Sequence, residues 1–108
     1  MRYPVLFPLL ALPLPAIAAI ERHPAQCAAL WSGVVALADA NPGIFEEMPN
    51  ARQLAEDFTR MAGPKAEERI AHETPDYALI AKAALLQKDR LSREIFDEIA
   101  EDCAWVED

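Results

Sequence analysis

Apolar residues recur at three- and four-residue spacing along most of this chain, and the interruptions of that rhythm divide it into helices. Cys27, Leu30, Trp31, Val34, Leu37 and Ala38 fall on one face of a helix that the pattern places from about Pro24 to Ala40. Pro24 suits the first helical position, where its missing N–H would have had no partner. Asn41-Pro42-Gly43 ends the helix with three breakers in succession. Ile44-Phe45 is too short for an element and reads as a loop or single turn that folds two apolar side chains back over the core.

Pro49 restarts a helix whose buried side carries Met48, Leu54, Ala55, Phe58, Met61 and Ala62, and Gly63-Pro64 stops it. Glu46 and Glu47 lie just before it, where the positive end of the helix dipole favours acids. In the third segment Ala66, Ile70 and Ala78-Leu79-Ile80 are apolar, whereas Lys65, Glu67, Glu68 and Arg69 are not. Thr74 as cap and Pro75 at a first helical position predict two pieces lying roughly end to end, rather than one kinked helix. The second piece, through Leu85 and Leu86, reads as the most deeply buried part of the chain.

No strand alternation, internal repeat or linker interrupts this pattern, so the expected fold is all-α, one domain over residues 19–108. The first 18 residues form a segment of their own: Arg2 is its only charge, an apolar run follows from Tyr3 to Ile17, and Ala16-Ile17-Ala18 is a small-residue cleavage pattern. A cleaved secretory signal is expected there. A retained anchor is disfavoured because Pro4, Pro8, Pro13 and Pro15 would each remove a helical hydrogen bond in lipid. A lipoprotein is disfavoured because Cys27 follows Glu21-Arg22 and Gln26 rather than an apolar segment.

Export to the periplasm or medium changes how the only two cysteines are read. In an oxidising compartment Cys27 and Cys103 form a structural disulfide, closing a loop of some 75 residues. That closure is worth on the order of 4 kcal/mol in the chain-entropy model, a large share of what a small core supplies. A redox catalyst would keep both sulfurs within one turn. The bridge also places the least marked boundary, because Gln87-Lys88-Asp89-Arg90 contains neither glycine nor proline. In an antiparallel bundle, Cys27 and Cys103 share one end only for an even number of passes. A turn near Lys88 to Ser92 gives four. The last helix then runs from about Leu91 to Trp105 with Leu91, Ile95, Ile99, Cys103 and Val106 inward, and the whole is a small antiparallel four-helix bundle closed by one long-range disulfide.

Charge narrows the partners. The formal charge of −8 includes Arg2, so the mature chain carries nine basic against eighteen acidic residues, or −9. Nucleic acid and anionic membrane surfaces are poor partners for such a chain, and no stable membrane insertion is expected once the signal is removed. Acids accumulate in the last helix, where Glu94, Asp97, Glu98, Glu101, Asp102, Glu107 and Asp108 follow Arg93 with no further base. This is either a solvated face or a docking stripe for a basic or envelope protein. Glu98, Glu101 and Asp102, with Trp105 as an exposed aromatic anchor, are the candidate partner-binding residues.

Other chemistry is weaker. His72 has Glu68 four residues before and Asp76 four after, but Thr74-Pro75 falls between them, so a solvated polar face is the better account. His23 lies near the expected new N-terminus, where an amine and an imidazole can take Cu or Ni. Met48 and Met61 read as core filling, and Trp31 as packed beside the bridge. No calcium loop, phosphate loop, haem-attachment motif or catalytic triad context is present. The expectation is therefore no catalytic residue, no metal and no cofactor: an exported, non-enzymatic protein-binding or accessory module, with a small-ligand or metal carrier as the alternative and an exported enzyme after that.

Overall fold

The computed structural model describes residues 22–104, which form α1 (Pro24–Ala40), α2 (Ile44–Glu47), α3 (Ala51–Ala62), α4 (Glu67–Ala81) and α5 (Arg90–Asp102), with no strand among them. The expected signal segment, Trp105, Val106, Glu107 and Asp108 lie outside the described residues. Within the described residues no helix is long and apolar enough to cross a membrane.

α1 is the axis of the fold. His23 caps it: its Nδ1 accepts from the Ala25 amide at 3.0 Å, and the Gln26 side chain accepts from the His23 amide at 3.3 Å. Both bonds use amides that a helix start leaves without intrahelical partners. At the other end the Asn41 side-chain amide donates to the Leu37 carbonyl at 3.0 Å. Ala25, Cys27, Ala28, Ala29, Leu30, Trp31, Gly33, Val34 and Ala38 are all buried, which is far more than one face. The reason is that α3 and α4 both pack along α1, and its alanines let their backbones come close. The prediction that the segment through Leu85 and Leu86 is the most deeply buried is therefore corrected: Leu85 is in the core, Leu86 is exposed, and α1 is the buried element.

The turn at Ile44-Phe45 is a single helical turn, α2, whose Ile44 is buried in the core. α3 begins two residues after Pro49, buries Ala51, Ala55 and Phe58, and ends at Gly63, where φ is +86° and the amide bonds the Thr59 carbonyl at 3.1 Å. Met61, expected on the buried side, is exposed.

α4 corrects a second expectation. It runs unbroken through Pro75, where two pieces were predicted. The Pro75 ring is on the exposed side of the helix, and the Thr74 hydroxyl, instead of capping a new helix, donates back to the Ile70 carbonyl at 2.7 Å. α1 packs tightly across this turn: a Cβ on Gly33 would lie 2.7 Å from the Ala78 nitrogen and 3.1 Å from the Thr74 oxygen.

α4 leads into a wider π turn over Lys82–Leu86, and the chain then breaks before α5 starts at Arg90. The amides of Gln87 and Asp89 bond the carbonyls of Lys82 and Ala83 at 3.1 and 3.0 Å, while Lys88 takes a left-handed φ of 58°. Asp89 then caps α5, accepting from the Ser92 amide at 2.9 Å and from its hydroxyl at 2.6 Å. α5 packs against the π turn, α4 and α1. Its inward residues are Phe96, Ile99 and Cys103. Leu91 and Ile95, predicted inward, are 67% and 42% exposed, because α5 is rotated about its axis to bring Phe96 into the core.

Candidate functional site

Cys27, in the first turn of α1, and Cys103, the residue that ends α5, are buried and joined as a disulfide, with α-carbons 5.4 Å apart across 76 residues of sequence. Two further contacts secure the same junction. The indole nitrogen of the buried Trp31 donates to the Cys103 carbonyl at 2.8 Å, which satisfies a backbone acceptor that the end of α5 would otherwise leave unpaired. Arg22 Nε reaches Asp102 at 2.7 Å, both side chains being about one-quarter exposed.

That ion pair changes the reading of the acidic stripe. Asp102, one of the candidate partner-binding acids, is paired with Arg22, and a cation beside the acid offsets the unfavourable dipole at the end of α5. Glu98 and Glu101 are exposed, and neither makes a salt bridge among the described residues. Trp105 lies outside the described residues.

The outward side of α5 is thus mixed. Leu91 and Ile95, one turn apart, are exposed beside Glu94, Glu98 and Glu101. Periodicity could not reveal this apolar pair as surface, because Leu91, Ile95 and Ile99 satisfy the helical spacing as well as the true inward set does. Arg93 is held in place by its own chain: it bonds Glu47 at 2.9 Å and Asp97 at 2.9 Å, and the Glu47 bond above all pushes its pKa up. Arg90, by contrast, is almost fully exposed, with Glu94 3.6 Å away.

Beside α5, a cleft of about 450 Å³ opens between α1, α4 and α5, lined by Gln26, Glu73, Asp76, Tyr77, Ile80 and Ile99. Burial raises the pKa of the Tyr77 phenol, with the nearby Glu73 carboxylate acting in the same direction. Glu73 is itself paired with Arg69 at 2.9 Å. A smaller hollow of about 210 Å³ lies where the chain leaves α5, walled by Trp31, Met48, Pro49, Leu54 and Ala104 among others.

The histidines are placed as follows. His72, Glu68 and Asp76 are all exposed on one continuous helix, and no group of three His, Cys, Asp or Glu side chains able to hold a metal ion occurs among the described residues. His23 spends its Nδ1 lone pair on the α1 cap. Comparison of the chain with protein-family models, curated proteins and solved structures finds no match in any of the three.

Proposed function

We propose that this chain is an exported, non-enzymatic helical protein of the periplasm or medium, which works by binding another protein on the outward side of α5. Its helices make the four antiparallel passes that put Cys27 and Cys103 at one end, and the disulfide holds α5 rigidly enough to present a binding surface. The observation that carries the reading is the pairing of exposed Leu91 and Ile95 with the exposed acids Glu94, Glu98 and Glu101. Apolar side chains at the centre of a charged stripe combine desolvation with charge selection, as docking surfaces require. The acids call for basic groups opposite them, so a basic or envelope protein is the expected partner class, and nucleic acid is disfavoured by the same charge.

A photo-crosslinking amino acid in place of Ile95, activated in cells that export the protein, tests this. A discrete protein adduct is expected, and its yield should fall at least tenfold when Glu98 and Glu101 are both changed to lysine. No adduct, or one indifferent to those changes, would remove the reading. The second reading, a carrier of a small cationic ligand, is favoured by the cleft of Glu73, Asp76 and Tyr77 over an Ile80 and Ile99 floor. Native mass spectrometry of protein from its own envelope distinguishes the two by a bound small molecule.

A further inference from the structure

We infer that Trp105 occupies the small hollow beside Trp31, so that the chain covers this end of its core with its own next residue. The hollow, of about 210 Å³, is walled by Trp31, Met48, Pro49, Ala51, Leu54 and Ala104. Connectivity names the occupant. Ala104 is itself part of the wall and is joined to Trp105, and successive α-carbons are only about 3.8 Å apart, so Trp105 starts at the mouth of the hollow. The exit of the chain from α5 is also fixed in direction. The indole of Trp31, one wall of the hollow, donates to the Cys103 carbonyl at 2.8 Å, and Cys103 is bonded to Cys27.

Size and lining agree with a single large side chain. The volume falls below the roughly 300–1,000 Å³ of sites that take small molecules. An indole left in water beside an apolar hollow would forgo the burial of about 150–250 Å² that an aromatic side chain can give. Trp31 offers it a second ring and Met48 a thioether, both favoured neighbours of an aromatic face or edge. Charge agrees as well. Pro49, Asn50 and Ala51 bring the start of α3 to the hollow, and that start has neither a side-chain cap nor an acid in its first turn. Glu107 and Asp108 follow Trp105 by two and three residues, so a docked Trp105 carries two acids towards the positive end of the α3 dipole. Glu47, the acid already at the rim, is matched by Arg93 at 2.9 Å. Trp105 then anchors its own chain and not a partner, and the outward side of α5 keeps Leu91 and Ile95 as its apolar pair.

Proton NMR of the purified oxidised protein should show nuclear Overhauser contacts from the Trp105 ring to the methyl groups of Met48 and Leu54. Trp105→Ala should lower the melting temperature by roughly 5 °C. Leu54→Ala should lower it too, and the double variant should lose clearly less than the two losses together, because side chains in contact are coupled. A benzophenone amino acid in place of Trp105, irradiated in the folded protein, should join its own chain at Met48 or Leu54, a link located by mass spectrometry of proteolytic fragments.

Unchanged helical circular dichroism shows that each variant is folded, and the NMR contacts are read on the unaltered chain. Absence of those contacts, a Trp105→Ala protein that melts with the parent, fully additive losses, or a crosslink from position 105 to a different protein or to a second copy would each overturn the inference. The crosslink at position 95 reports on α5 separately, so the docking of α5 on a partner and the docking of Trp105 on its own chain stand or fall independently.

Discussion

Gly33 sets how near α1 and α4 can come. A Cβ there would lie 2.7 Å from the Ala78 nitrogen, a backbone atom that cannot swing aside as the tip of a side chain could. Gly33→Ala gains about 1 kcal/mol of helix propensity, but overpacking two backbones costs about 1–3 kcal/mol or more. The net expectation is destabilisation, read as a melting temperature lower by roughly 5 °C; an unchanged or higher value would mean that the helices are not in contact at this point. Asp89 acts at the same scale on α5. Its bonds from the Ser92 hydroxyl and amide hold its carboxyl below the ordinary carboxylate pKa. A folded pKa below the unfolded one contributes stability that is complete above the unfolded value, about 4, and is lost as pH falls through the folded value. Asp89→Ala should therefore melt below the parent at neutral pH, with the gap closing under acid; thermal melts from neutral pH down to about pH 2 check this. Neither residue could be read as special from the chain alone. Glycine inside a helical pattern looks like a weakness until the neighbouring backbone is seen, and an aspartate cap needs a known helix start.

At the scale of elements, the sequence locates helices better than it orients them. The spans of α1 and α3 were legible because prolines, glycines and asparagine punctuate them. The rotation of α5 was not, since both the set Leu91, Ile95, Ile99 and the set Phe96, Ile99, Cys103 have helical spacing. Which set turns inward depends on what α4, the π turn and α1 offer opposite, and Phe96 is the residue that fills the space. Phe96→Ala should cost about 3–5 kcal/mol, the range for a buried aromatic side chain, whereas Leu91→Ala should stay within about 0.5 kcal/mol, as for a surface position. Urea unfolding of the two variants measures the contrast, and equal losses would restore the inward Leu91. α4 makes the same point in reverse. Thr74-Pro75 is a sound local signal for a new helix, overridden because the Thr74 hydroxyl bonds back to Ile70 and α1 packs tightly across this turn. The break before α5 was hidden for a different reason: the left-handed residue is Lys88, not the glycine that usually marks such a position.

For the whole molecule the decisive feature is the junction at which Cys27 meets Cys103, Trp31 bonds the Cys103 carbonyl and Arg22 meets Asp102. These contacts tie the start of α1 to the end of α5, and the disulfide keeps those two ends joined even when the chain between them unfolds. A loop of 76 residues corresponds to about 4 kcal/mol in the chain-entropy model, and native strain reduces that figure. Changing both cysteines to serine should lower the melting temperature by roughly 10 °C or more. A pair of serines that melts with the parent would show that the indole and ion-pair contacts suffice without the sulfur bond. The candidate docking face depends on the same junction, because Glu98 and Glu101 lie in the last turns of the helix that it anchors.

The chain by itself determined the helical class, the breaks at Asn41-Pro42-Gly43 and Gly63-Pro64, and the partnership of its two cysteines. Each of these follows from local stereochemistry or from having no other thiol to pair with. Tertiary structure alone decided that α1 is buried nearly all round, that α4 continues through Pro75, and that Leu91 and Ile95 face outward while Phe96 faces in. Those outcomes depend on which backbones can approach one another and which cavities must be filled, and a helix carries no record of its neighbours in the spacing of its own residues.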